Sequence, residues 1–190
     1  DVFYCEDGYW GKYGVIHEFG NHRFGNLNVR EIILNSSNIG MAKIGLKMSP
    51  RALYDGLSLF GIGRATGVDL AGEEPGLIRP VHKWSKYSPT RIAFGHEVSV
   101  TALQMVQAYS ILANGGTLIQ PHLVRAIVDA QGQLKEATPS TAGAGFVIKP
   151  EIGRWMGQEA LTAAGAGGTG GYGAPGGGEG FGENRDGEIA

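Results

Sequence analysis

The stretch from Glu31 to Gly45, EIILNSSNIGMAKIG, constrains the fold more than any other. Apolar residues crowd both ends, while Asn35, Ser36, Ser37 and Asn38 stand together in the middle. Buried hydroxyls and amides are costly unless hydrogen-bonded. A continuous helix is therefore a poor solution, and two apolar helices joined by a short polar turn is a good one. Asn28 followed by Glu31 has the form of a capping box, which starts the first helix through Val29, Ile32 and Ile33. The second helix, IGMAKIGLKM, is apolar nearly all round apart from Lys43 and Lys47, so it is expected to be largely buried.

The same punctuation continues along the chain. Ser49-Pro50 opens a third helix, PRALYDGLSLF, and Gly61 suits its end. GIGRATGVDLAGEEPGLI reads as turn-rich connection. Thr101 and Gln104 form a second capping box, starting a helix with Ala102, Met105, Val106, Tyr109, Leu112 and Ala113 on one stripe. Asn114-Gly115-Gly116 stops it. TLIQP and LVRAIV are expected strands, the second turning at DAQG toward QLKEA. Lys149-Pro150-Glu151 opens a last helix to about Ala164. Of the 33 glycines, twelve fall in the final 26 residues, a composition that cannot bury enough apolar surface to offset its backbone entropy. No internal repeat is evident.

Composition excludes several classes. A net charge of −2 with scattered Lys and Arg gives no electrostatic footprint for nucleic acid. Cys5 is the single cysteine, so neither a disulfide framework nor a Cys-based zinc site is available. No apolar run has the length of a membrane span, and no signal-peptide pattern opens the chain. His17, His22, His82, His96 and His122 lack metal-ligand spacing, so no metal and no cofactor is expected. Gly165-x-Gly167-x-x-Gly170 spells a dinucleotide pattern but follows a predicted helix rather than a strand. Neither a phosphate-binding Walker loop nor a Gly-x-Ser-x-Gly elbow occurs.

Ser36-Ser37-Asn38 is what remains. Taken locally, Ser37 or Asn38 caps the following helix. A polar turn between two rigid helices can also present hydroxyl and amide groups to a cleft, and both roles can hold together.

From ILNSSNIGMAKIGLKMSPRALYDGLSLFGIGRATGVDLAGEEPGLI through WSKYSPTRIAFGHEVSVTALQMVQAYSILANGGTLIQPHLV, the chain resembles the transpeptidase domain of class B penicillin-binding proteins. The likeness is colinear over roughly residues 1–164. It implies an α+β fold of the serine β-lactamase-like kind, here a helix-rich part with an incomplete sheet. In that family Ser-x-x-Lys carries the nucleophile, a Ser-x-Asn triplet assists it and Lys-Thr-Gly binds the substrate carboxylate. The resemblance assigns Ser36 to proton transfer and Asn38 to holding the substrate amide, both as catalytic residues, and Ser37 to substrate binding. Phe94-Gly95 and Val98-Ser99-Val100-Thr101 match as scaffold, with His96 and Glu97 expected on a polar surface turn.

Two departures matter. Residues 1–35 contain no serine, so the nucleophile is expected upstream of this chain, together with the membrane anchor; residues 165–190 contain no lysine, so Lys-Thr-Gly is missing. Residues 1–164 are thus expected to be a partial transpeptidase domain and residues 165–190 a Gly-rich tail, disordered or out of frame. Glu183 to Ala190 can be encoded as GAA AAC CGG GAC GGC GAA ATC GCN. Read from the second nucleotide, this gives Lys-Thr-Gly-Thr-Ala-Lys-Ser, which suggests a frameshift between about Gly170 and Glu179.

The implied function is peptidoglycan D,D-transpeptidation through an acyl-serine on the periplasmic side of the inner membrane, with this piece inactive by itself. Implied partners are the D-Ala-D-Ala stem peptide, β-lactams, and divisome or elongasome proteins. The alternatives are a β-lactam-hydrolysing or -sensing relative, and a catalytically dead structural module of a cell-wall complex.

Overall fold

The computed structural model describes residues 1–137 and 145–160, with side chains as far as residue 158. Helices alternate with short antiparallel strand pairs, the expected α+β mixture. Strand β1 (Val2–Tyr4) pairs with β4 (Asn26–Asn28), setting Phe3 opposite Leu27. Between them, β2 (Tyr9–Trp10) pairs with β3 (Ile16–His17), setting Trp10 opposite Ile16. These pairs lie against the helical pair that follows.

The capping box at Asn28 forms as expected: its side chain accepts from the Glu31 N–H at 3.0 Å, and its own N–H donates to the Glu31 carboxylate at 2.8 Å. It opens α1 (Val29–Leu34), and α2 (Asn38–Lys47) follows directly. Ser49 caps α3 (Pro50–Leu59) through the Ala52 N–H at 3.1 Å. The core beneath joins Cys5, just after β1, with Trp10 of β2 and Ile16 of β3 to Ile39 and Ala42 of α2.

Two glycines let α2 approach its neighbours. A Cβ on Gly40 would stand 2.6 Å from Ile32 Cγ1, and one on Gly45 would stand 2.6 Å from both Ala93 Cβ and the Pro89 carbonyl oxygen. Pro89 and Ala93 belong to α4 (Ser88–Ala93), so Gly45 sets how closely α2 and α4 pack.

Strand β5 (Leu77–Ile78) pairs with β6 (Val98–Ser99), and β7 (Ala126–Val128) forms a hairpin with β8 (Leu134–Ala137). The expected strand TLIQP is not one; only Thr117 bridges, to Phe146. The last helix, α6 (Pro150–Arg154), passes into π-type turns through Trp155–Ala160. Its expected extension to Ala164, the glycine pattern at 165–170 and the tail at 165–190 lie outside the described residues.

Helix α5 (Ala102–Ala113) has its Thr101–Gln104 box but buries a different face from the one the pattern predicts. Gln104, Gln107 and Ile111 are buried, whereas Met105, Val106 and Tyr109 are exposed. The reason is polar. The Gln104 amide nitrogen lies within 3.2 Å of the carbonyl oxygens of Gly61, Arg64 and Pro75, and Gln107 donates to the Ile119 carbonyl. Loop carbonyls need donors when buried, and these two glutamines supply them. Among the described residues no helix is long and apolar enough to cross a membrane.

Candidate active site

The turn between α1 and α2 is a Schellman cap, in which the chain must pass through a left-handed residue one place beyond the helix cap. The Ser37 N–H reaches back to the Ile32 carbonyl at 3.0 Å and the Ser36 N–H to the Ile33 carbonyl at 3.2 Å. Ser36 is the left-handed residue, with φ +49°.

Helices α3, α4 and α5 end with the same bond pattern, and there the left-handed positions are Gly61, Gly95 and Gly115. Glycine takes this conformation freely, while a residue with a Cβ is disfavoured by about 1 kcal/mol. The chain therefore carries a strained serine at the one such cap that bears the triplet. Ser36 is exposed, and its hydroxyl makes no hydrogen bond within the described residues.

Ser37 and Asn38 behave differently from each other. Ser37, expected to contact substrate, is fully buried, and its Oγ accepts from the Gly40 N–H at 3.0 Å as the cap of α2. The same hydroxyl donates to the Glu18 carboxylate at 2.6 Å, so it has no free face to offer a ligand. Its place is in holding the turn. Asn38 is half-buried, and its side-chain amide donates to the His17 carbonyl at 2.9 Å. With its Nδ2 so fixed, Oδ1 accepts no hydrogen bond within the described residues and is available to an incoming N–H.

Asn38 lines a cavity of about 370 Å³ with Ile16, His17, Arg91, His96 and Glu97. Three elements build it: the end of β3, the first turn of α2, and α4 with the turn after it. His96 and Glu97 are thus on the polar turn where the sequence put them, but that turn is a wall of the cavity beside Asn38. Glu97 also adopts a left-handed backbone, φ +59°. Its carboxylate accepts from Ser88 Oγ at 2.7 Å and pairs with Arg91 at 3.5 Å.

Among the described residues no base is hydrogen-bonded to the Ser36 hydroxyl to activate it for attack. Cys5 lies fully buried under Ser37, and burial pushes its thiol above the ordinary range, the reverse of what a thiolate nucleophile needs. Among the described residues no group of three or more His, Cys, Asp or Glu side chains is placed to hold a metal ion. What the arrangement can do is accept an amide N–H at Asn38 and exchange a hydroxyl proton at Ser36.

Sequence reasoning missed Glu18. It follows β3 in the unmarked stretch IHEFG, nineteen residues before Ser37, and no local pattern connects the two.

A family model described as the penicillin binding protein transpeptidase domain matches residues 1–176. Stage V sporulation protein D of Bacillus subtilis is 33% identical over 140 residues, covering 74% of this chain and 22% of that relative. Penicillin-binding protein PbpB of Mycobacterium tuberculosis is 32% identical over 122 residues, covering 64% of this chain and 18% of that protein. The chain thus spans about a fifth of the length of these curated relatives. Among solved structures, a peptidoglycan synthetase from Bifidobacterium adolescentis superposes with a TM-score of 0.77 at 28% identity, over 86% of this chain and 30% of that one. Penicillin binding protein 3 from Mycobacterium tuberculosis in complex with aztreonam gives 0.72 at 28% identity, over 81% of this chain and 34% of that one.

Proposed function

Because the chain belongs to the penicillin-binding protein transpeptidase domain family, we propose that it forms part of a peptidoglycan D,D-transpeptidase acting on the periplasmic side of the bacterial inner membrane. In this reading a serine carried elsewhere in the whole protein attacks the D-Ala-D-Ala carbonyl of a stem peptide. The C–N bond breaks, D-alanine leaves with a proton on its nitrogen, and an amine from a second strand resolves the acyl-enzyme. Ser36 passes the proton between nucleophile and leaving group, and Asn38 accepts the substrate's amide N–H. β-Lactams enter the same site and stay as acyl adducts.

The observation that carries the reading is Ser36 itself. It occupies a left-handed cap that α3, α4 and α5 give to glycine, and it is exposed with its hydroxyl unengaged among the described residues, two places before the cavity-lining Asn38. A stability requirement alone favours glycine there; a need for the hydroxyl accounts for the serine.

We also propose that the reading frame shifts between about Gly170 and Glu179 and that the true frame encodes Lys-Thr-Gly. Support comes from the family match, which ends at residue 176, inside the interval where the codon argument places the shift. The nucleotide sequence decides it: codons that fail to give Lys-Thr-Gly in the shifted frame end the idea.

The functional test is acylation. The complete product of the gene is expected to take up a fluorescent penicillin, while the 190-residue chain alone is not. Ser36→Ala or Asn38→Ala in the complete product is expected to slow labelling by about 10²–10⁴. Unchanged labelling in both variants, or covalent labelling of the isolated chain, would overturn the assignment. A gene whose upstream region lacks Ser-x-x-Lys would favour a structural module, and rapid nitrocefin turnover would favour a β-lactam-hydrolysing relative.

A further inference from the structure

Glu18 is a carboxylate only 5% exposed, and among the described residues no cationic nitrogen comes within salt-bridge distance of it. A buried charge without a counter-ion is normally costly by several kcal/mol. Its compensation is a set of donors that all belong to the Ser37–Asn38 turn and the start of α2. Ser37 Oγ donates to Oε1 at 2.6 Å, the Asn38 N–H to Oε2 at 2.7 Å, and the Ile39 N–H to Oε1 at 3.4 Å. The positive end of the α2 dipole points at the same carboxylate.

Helix initiation alone does not call for this. Ser37 already caps α2 through the Gly40 N–H, as Ser49 caps α3 through Ala52 without any buried acid. What Glu18 adds is direction. It accepts hydrogen bonds from the Ser37 hydroxyl and the Asn38 backbone N–H, while the neighbouring His17 carbonyl accepts from the Asn38 side chain. Ser36 is left between two fixed residues: Ser37 on one side, and on the other Asn35, whose amide donates to the Glu31 carbonyl at 2.8 Å. Glu18 is itself held, its N–H donating to the Gly8 carbonyl at 3.2 Å at the end of the β2–β3 pair.

Resting on the active-site reading above, we propose that Glu18 is the positioning residue of the Ser36–Ser37–Asn38 turn. Its carboxylate ties down Ser37 and the Asn38 backbone, the two residues that follow the Ser36 cap, and so fixes Asn38 on the cavity wall in register with the Ser36 hydroxyl. It does not touch the substrate or move a proton in the reaction.

The experiment compares Glu18→Gln and Glu18→Ala with Ser36→Ala and Asn38→Ala in the complete gene product. Three quantities are read: the second-order rate of acylation by a fluorescent penicillin, the thermal midpoint, and hydrogen exchange of the Asn38 and Ile39 amides. Glutamine keeps the size of Glu18 and one acceptor oxygen, but sets an amide nitrogen where one of the turn donors needs an acceptor. Folded Glu18→Gln protein is expected to exchange the Asn38 amide faster and to acylate about 10- to 100-fold more slowly, with the loss at saturation exceeding any loss of affinity. If Glu18→Ala does not fold, the glutamine variant decides alone. Wild-type acylation by folded Glu18→Gln, with Ser36→Ala and Asn38→Ala both slow, overturns the role of Glu18 and leaves the site standing. Wild-type acylation by Ser36→Ala and Asn38→Ala removes the site, and the proposal with it.

Discussion

Ser36 combines a left-handed backbone with an exposed, unengaged hydroxyl. Replacing it with glycine relieves the left-handed backbone and removes the hydroxyl in one step. We expect Ser36→Gly to raise stability by up to about 1 kcal/mol in urea unfolding, because the cap then matches those at Gly61, Gly95 and Gly115. Penicillin acylation of the complete product should fall in the same variant. A stabilising change that removes activity marks a residue retained for function; a destabilising Ser36→Gly would show that the serine serves the fold. Its neighbours divide the remaining work. Ser37 is sealed in as a cap, and the Asn38 amide oxygen accepts no hydrogen bond among the described residues.

Among elements, the packing of α2 on α4 is set by Gly45. Alanine is the better helix former by about 1 kcal/mol, so propensity alone says Gly45→Ala is favourable. Contact with Ala93 Cβ and the Pro89 carbonyl at 2.6 Å says the reverse, since both atoms sit in a packed helix and cannot swing away. Overpacking of this kind costs about 1–3 kcal/mol, so a net loss is expected in chemical denaturation. Because α4 leads into the His96–Glu97 wall, the cavity beside Asn38 should open as well. The loop before β5 is tied down by two carboxylates. Asp69 accepts from the backbone N–H groups of Leu123 and Val124, and these bonds hold its carboxyl below the usual range. Glu73 is lowered likewise, by the Thr66 side chain, then by its N–H. A depressed folded value means the stabilisation is present above the unfolded pKa and lost as pH falls through the folded one. The urea midpoint is therefore expected to fall as pH drops below about 4, and to fall less steeply in Asp69→Asn; equal slopes would show that this clamp carries no stability.

At the scale of the whole molecule, α5 and the β7–β8 hairpin each expose apolar side chains. Val106 is 61% and Tyr109 53% exposed on α5, the face that the sequence pattern assigned to the core. The β7–β8 hairpin adds Ile127, Val128 and Leu134, all exposed. Apolar patches of this kind mark association surfaces. The 190-residue chain is expected to self-associate as its concentration rises in light scattering, and Val106→Glu to shift it toward monomer. A chain that stays monomeric at high concentration with Val106 intact would refute this.

Helix starts and stops were legible because a capping box, a Ser-Pro start or a glycine stop joins residues only a few places apart, as Asn28–Glu31, Ser49–Pro50 and Gly61 show. The polar turn between α1 and α2 was legible for the same reason, whereas the α+β fold and the roles given to Ser36 and Asn38 came from the family resemblance. The buried face of α5 was not, because hydrophobicity ranks Met105 and Val106 above Gln104 and Gln107. Which side is buried depended on three loop carbonyls some 30 to 40 residues away in sequence. Nor was Glu18 legible. Its meaning comes from hydrogen bonds that exist only after the β2–β3 pair has docked on α2, and a contact made across the fold leaves no period or spacing in the chain. Local bonding was therefore written in the order of residues. Which of Ser36, Ser37 and Asn38 is exposed, sealed or half-buried was decided by packing, since burial and backbone conformation are properties of the folded neighbourhood.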